Sequence, residues 1–365
     1  DSSPAANDEP LLSEGEVNYV GQPLFIVIAE RHLLARKAAT KALVNYSEKS
    51  PILSVEDALA AESRFEEGPR IYQKGDAATA IRNSELRLSG TFAIGGQEHF
   101  YLEGQAALAL PSDDEEMVIH SSTQHPSEVQ HKVAKALGLG MHEVRVEVRR
   151  MGGGFGGKES QANSLAIACA LAAKITGRPC KMRYDRDDDF LITGKRHDFR
   201  IDYKVGFDQQ GKIHGVNFVH YIRCGWSQDL SLAVADRAML HADNAYHLEH
   251  CRVESHRLRT NIQSATAFRG FGGPQGMIGM ERVIDHIADY LAVDPIFIRT
   301  RNYYKDANSV AVAKPQTTHY GMKVTDFGLN AMTEALIEKC DYFSRRSSIK
   351  DWNQKNIILK KGIAL

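Results

Sequence analysis

The stretch Met151-Gly-Gly-Gly-Phe-Gly-Gly-Lys-Glu159 constrains this chain more than any other. Glycines surround one phenylalanine, so the backbone can take positive φ and let another group approach closely. A β-rich segment, residues 142–150, runs into it, and a long apolar segment, residues 160–176, runs out. The order is strand, glycine loop, helix. That order turns backbone N–H groups and a helix N-terminus toward one point, which suits an anionic or oxo-bearing ligand.

Three readings of the loop stay open on the residues alone. Gly152, Gly154 and Gly157 satisfy G-x-G-x-x-G, the dinucleotide pattern, and Asp185 ends the next expected strand. Gly152, Gly157 and Lys158 approach the P-loop pattern, but Glu159 stands where Ser or Thr holds magnesium, and a carboxylate there repels a triphosphate. The third reading is a tight packing turn. A second stretch, Ala267-Phe-Arg-Gly-Phe-Gly-Gly-Pro-Gln-Gly276, bears on all three. Its Gly270-Phe-Gly-Gly-Pro-Gln275 aligns with Gly154-Phe-Gly-Gly-Lys-Glu159, and Pro274 suits a first helical turn. Two loops of one design imply two halves of one ligand site, or an internal duplication. A third glycine pair with polar neighbours lies in Ile94-Gly-Gly-Gln-Glu-His-Phe-Tyr-Leu-Glu103.

These three stretches resemble the cofactor region of the molybdenum hydroxylase family, the group of xanthine dehydrogenase and aldehyde oxidase. So do Asp185-Arg-Asp-Asp-Asp189, Ile192-Thr-Gly-Lys-Arg-His197, Asp236-Arg-Ala-Met-Leu-His241 and Thr317-Thr-His-Tyr-Gly321. The resemblance covers essentially the whole chain. It implies an α+β fold: the end of a small α/β hammerhead domain over residues 1–75, a mixed α/β molybdenum-cofactor-binding domain over 76–310, and connector helices over 311–365. In this family the metal is held by a pterin dithiolene, so the protein supplies the surrounding groups.

The resemblance assigns roles residue by residue. Gln97, Phe155 and Arg269 contact the molybdenum centre, and Gly156 brings backbone against the molybdopterin. Glu159 and Arg237 resemble a purine-binding pair, with Phe271 against the purine ring. The alternatives from the residues are a buried amide for Gln97, a salt bridge for Glu159 or Arg237, and core packing for Phe271. No catalytic base is assigned here, because the family's base glutamate is expected in a segment outside this chain. The second half of the cofactor cradle is expected there too. Iron–sulfur clusters of the 2Fe-2S type, FAD and NAD are expected on other modules, and the five scattered cysteines lack ferredoxin spacing. The chain alone is therefore expected to be inactive. A dinucleotide-binding domain, an aldehyde oxidase-like enzyme and a non-catalytic assembly domain stand as alternatives.

Composition adds exclusions. Lys and Arg total 45 against 46 Asp and Glu, a balance that makes no electrostatic case for nucleic acid or an anionic membrane. No apolar run is long enough to span a membrane. The five scattered cysteines suit a reducing cytoplasm, and the resemblance implies an oligomer and a purine substrate as partners. His125 and His131 are six apart, not a helix-face pair, and read as surface residues. Asp187–Asp189 reads as a solvated helix start. Periodicity predicts strands at 22–28, 44–47, 86–94, 106–110, 117–121, 198–207, 213–224 and 252–259, and a further strand at 363–365. Helices are predicted at 31–43, 55–61, 126–137, 230–240, 277–291, 295–302 and 325–339. Residues 73–76 read as a linker.

Overall fold

Strict alternation builds the larger of two sheets. In Asp198–Phe207 and Ile213–Gly225 every second side chain is buried, and the turn at Asp208–Gly211 joins them as a hairpin. The computed structural model describes residues 1–112, 116–305 and 316–365. Its elements in order are α1 (His32–Ala39), α2 (Val55–Ala60), β1 (Arg70–Lys74), α3 (Ala77–Asn83), β2 (Leu86–Ile94), β3 (Ala106–Pro111), β4 (Met117–Ser121), α4 (Pro126–Leu137), β5 (Val144–Glu147) and α5 (Ala162–Thr176). Then come β6 (Cys180–Arg183), α6 (Arg186–Ile192), β7 (Asp198–Phe207), β8 (Ile213–Gly225), α7 (Ser231–Leu240), β9 (Cys251–Arg259), α8 (Gly273–Tyr290), α9 (Pro295–Asn302), α10 (Leu329–Lys339) and α11 (Tyr342–Lys355).

The larger sheet runs β1-β9-β8-β7-β2, antiparallel except for β8 beside β9. Its core packs Ile201, Val205, Phe218 and Ile222 against Ala235, Met239, Val283 and Ile287 of α7 and α8. The smaller sheet runs β5-β4-β3-β6, with only β4 and β5 parallel. Its core sets Ala107, Ala109 and Ile119 against α4 and α5, whose Val129, Val133, Leu165 and Ala166 are fully covered. The α+β reading holds, as a mixed fold with two mixed sheets.

Several local expectations are corrected. Residues 22–28, 44–47 and 363–365 form no strand. Apolar, β-branched residues make a strand only where a neighbour offers a ladder. Residues 25–30 instead face β6 across a cavity that α1 also lines. The expected linker at 73–76 is partly strand: β1 pairs Arg70–Lys74 with Ser255–Cys251 of β9. Its five residues are almost wholly exposed, so no alternation announced it. The short helix α3 was likewise not foreseen. Helix α4 starts at Pro126, as the sequence predicts, with His125 at the N-cap position and its Nδ1 2.9 Å from Glu128 Oε2. Asp189 is not solvated: it is fully buried and accepts from Tyr101 Oη at 2.6 Å and from Thr193. The expected boundary at 310 lies outside the described residues. Among the described residues no helix is long and apolar enough to cross a membrane.

One core residue carries a stability prediction. His220 is fully buried between Phe199 and Phe218, with neither ring nitrogen hydrogen-bonded. Burial holds it at about 3, helped by nearby Arg257 and His319, and burial holds His197 at about 3 as well. Unfolded, each titrates near ~6.5. The unfolded chain therefore binds protons first, and stability present above that pH is lost as pH falls. Asp229 and Glu9, pushed up by burial to about 6 and about 7, act in the opposite sense. His220→Leu is expected to raise stability by about 1 kcal/mol at neutral pH and to shallow the loss of melting temperature below it. Melting curves of both proteins across that range check it.

Candidate functional site

Both glycine loops follow the same backbone path. Phe155 and Gly156 have φ of 54° and 97°; Phe271 and Gly272 have 49° and 90°. Each pair is closed by one hydrogen bond: Gly157 N–H to Gly154 O at 2.8 Å, and Gly273 N–H to Gly270 O at 3.0 Å. Two successive positive φ values in a four-residue turn are the type I′ pattern. Glycine takes it freely, whereas phenylalanine does so at a cost of about 1 kcal/mol or more. The strain places an aromatic ring at the tip of each loop, with Phe155 47% exposed and Phe271 half-buried.

The two loops touch. Arg269 N–H donates to Phe155 O at 2.9 Å, and a Cβ on Gly156 would press to 2.7 Å from Ala267 O. The stretch after β2 locks both in place. His99 Nε2 bonds Ala267 O at 2.7 Å, its ring lies 4.5 Å from that of Phe268, and a Cβ on Gly157 would meet it at 2.6 Å. Gln97, Phe155, Gly156 and Arg269 thus belong to one cluster. Gln97 is exposed; Arg196 Nε donates to its Oε1 at 2.8 Å and Arg196 Nη2 to Arg269 O at 3.0 Å.

Helix α7, which carries the exposed Arg237, packs on the second loop. Gly272 and Gly276 of the second loop and α8 lie against Val234 and Ala238 of α7, so closely that neither position has room for a Cβ. Asp229, just before α7, ties the elements together. Fully enclosed, it accepts from Ser160 Oγ at 2.6 Å, Thr266 Oγ1 at 2.8 Å and Gln161 Nε2 at 3.0 Å. Ser160 follows Glu159, and Thr266 precedes the second loop. Among the described residues neither Glu159 nor Arg237 forms an ion pair. Burial raises the Glu159 carboxyl above its usual range, with nearby His125 lowering and Glu128 raising it less.

The nucleotide readings of the first loop fail on geometry. A phosphate cradle needs free N–H groups, yet Gly156 donates to Gln124 Oε1 at 2.8 Å, Gly157 to Gly154 O and Glu159 to Gly156 O. Lys158 is wholly buried, its Nζ 2.7 Å from Ser122 Oγ and 3.3 Å from Glu103 Oε2. The expectation that this loop aims several N–H groups at a ligand is therefore corrected. Nor is there a dinucleotide βαβ unit: α5 leads from β5 to β6, which β4 and β3 separate from β5. The scaffold residues His99, Asp189, Arg196 and Asp229 had no assigned role in the sequence. His99, Asp189 and Arg196 sit inside the family-like stretches, which was the available signal; Asp229 had none.

The glycine junction thus gathers an exposed ring on the first loop, a half-buried ring on the second, the Gln97 amide and, among the described residues, arginines and a carboxyl without ion pairs. Residues 63–303 match the family model described as Molybdopterin cofactor-binding domain, and the chain belongs to that family. It is 40% identical over 363 residues to the xanthine dehydrogenase of Drosophila subobscura, covering 99% of this chain and 26% of that protein. It is 37% identical over 368 residues to a nicotinate hydroxylase of Emericella nidulans, covering 99% and 27%. The aldehyde oxidoreductase from Desulfovibrio gigas superposes with a TM-score of 0.83 at 25% identity, covering 96% of this chain and 38% of that one. The chain thus spans about a quarter of the length of these curated relatives. The residues present fit a bulky anionic group: Gln97 has an amide donor to spare, Arg196 Nη1 is buried without a partner, and Arg269 has no carboxylate beside it among the described residues.

Proposed function

We propose that this chain is one wall of the molybdenum site of a xanthine dehydrogenase, an oxidoreductase that hydroxylates hypoxanthine and xanthine to urate with water. The observation that carries the reading is the pair Glu159 and Arg237, both without an ion pair among the described residues and on elements stapled by Asp229. When bound, the molybdopterin group supplies oxygen transfer and accepts two electrons. The chain's residues bind and orient around it. Gln97 and Arg269 donate to it, while Phe155 and Gly156 set its distance from the backbone. Arg237 presents a fork to a purine oxygen that gains negative charge, and its fixed charge favours that state. Glu159, its carboxyl raised above the usual range by burial, shares a proton with a ring nitrogen. Phe271 packs on the ring. A base on another segment takes the remaining proton.

In this proposal residues 1–75 are the remainder of a hammerhead domain, 76–310 the first cofactor-binding domain, and 311–365 connectors toward a second. Iron–sulfur, FAD and NAD modules receive the electrons, in a cytoplasmic oligomer. The test is urate formation by the purified holoenzyme, with an aldehyde and nicotinate as competing substrates. Urate from hypoxanthine, and none from this chain alone, is expected. Rapid aldehyde turnover with no urate would contradict the purine reading and favour an aldehyde oxidase-like enzyme.

A further inference from the structure

Arg196 has a geometry that folding alone does not account for. It is only 9% exposed and lies just before β7. Its guanidinium stacks 3.9 Å above the Phe268 ring. Nε donates to Gln97 Oε1 and Nη2 to the Arg269 carbonyl. Nη1 is buried with no partner among the described residues. Among the described residues no carboxylate pairs with it; Glu98, close in sequence, is 2.6 Å from Lys195 instead. Burial with no countercharge lowers the group to about 10, still cationic at neutral pH. A buried, unpaired charge is costly and calls for an anion.

The hydrogen bond to Gln97 has a second consequence. A guanidinium has donors and no acceptor, so only the amide oxygen can face it. Gln97 Oε1 is thereby fixed toward Arg196, and Nε2 must point the other way. An amide free to flip would offer either atom to a ligand; this one offers only its donor. The backbone adds to the constraint, since Arg196 N–H donates to Gln97 O at 3.0 Å.

We infer that Arg196 is a positioning residue of the cofactor wall, which fixes the Gln97 amide with its donor toward the ligand and supplies the positive charge that an anionic pterin–metal group balances. The inference rests on the cofactor reading above. Lysine cannot replace it, because a point charge neither stacks on Phe268 nor bridges Gln97 and Arg269. Glutamate at Gln97 keeps the contact to Arg196 but removes the donor.

The test compares holoenzyme carrying Arg196→Met, Arg196→Lys or Gln97→Glu with wild type, all made in a host that produces the cofactor. Molybdenum and pterin contents, the Mo(V) resonance of the reduced protein, melting temperature, kcat and KM are measured. Arg196→Met is expected to lose about tenfold in cofactor content. Arg196→Lys is expected to keep metal, shift the Mo(V) signal and lose about tenfold in kcat at nearly constant KM. Gln97→Glu should shift the signal likewise without lowering the melting temperature, and the Arg196→Lys/Gln97→Glu double variant should be no worse than Gln97→Glu. If Arg196→Met fails to fold, the lysine variant carries the comparison. Metal-replete wild type together with an unaltered signal in Arg196→Lys would overturn this inference alone. Wild type without molybdenum would overturn the cofactor reading and this inference with it.

Discussion

Gly272→Ala is expected to destabilise the chain by about 3 kcal/mol or more. Gly272 has φ +90°, which alone strains an alanine, and its Cβ would run into the Val234 carbonyl and lie 3.1 Å from the Ala238 nitrogen. Both atoms are backbone of α7, so no side chain can swing aside. The helix cannot retreat either. Val234, Ala235, Ala238 and Met239 are buried, and Asp236 is held by Arg257 at 2.6 Å and by Arg70. Gly138 provides the control: it has φ +70° at the end of α4, but open space around its Cβ. Gly138→Ala should cost only the backbone strain, about 1 kcal/mol. Urea unfolding of the two variants separates collision from strain, and equal losses would mean that the loop–helix contact is loose. Whatever Gly272→Ala leaves folded should also have lost activity, because α7 carries Arg237.

Arg237→Met is expected to lower kcat/KM for xanthine about a hundredfold, roughly 3 kcal/mol of transition-state stabilisation. Its effect on folding should stay within about 0.5 kcal/mol, because Arg237 is exposed and leaves no buried partner behind. The residue before it should behave in the opposite way. Asp236→Asn removes the charge that pairs with Arg257, a guanidinium that is only 2% exposed as a residue and also bonded to Glu66. Glu66 still compensates Arg257 and Asp236 is partly exposed, so the loss is expected to be about 1.5 kcal/mol. Steady-state kinetics and melting curves of the two variants check the contrast. An Arg237→Met enzyme with wild-type kcat/KM for xanthine would remove Arg237 from the substrate site.

How much of this was readable in the sequence depends on how locally each feature is encoded. The paired Gly-Phe-Gly-Gly turns were visible because positive φ demands glycine at Gly156 and Gly272, and the same four-residue path recurs at both. The hairpin at Asp208–Gly211 and the long helices followed from alternation and from the 3.6 period. Strand β1 was hidden, since an exposed edge strand alternates little and takes its identity from β9, far along the chain. Arg196 and Asp229 were hidden for the same reason. Arg196 acts on partners 99 and 73 residues away, and Asp229 on partners 69 and 37 residues away. The nucleotide motifs misled because a glycine pattern records backbone freedom, not which N–H groups remain free. Lys158 looks like a phosphate ligand in sequence and is a buried strut beside Tyr101 in the fold.

The central claim is that the junction of Gln97, the two loops and Arg196 is a wall for a molybdenum–pterin group. Elemental and pterin analysis of the purified holoenzyme, from a host that makes the cofactor, tests it most directly. Wild type is expected to hold molybdenum and pterin in equal amounts, and Gly156→Val, whose Cβ would collide with the Ala267 backbone at a φ of +97°, is expected to lose both together. Wild-type protein that is folded yet free of both molybdenum and pterin would contradict it.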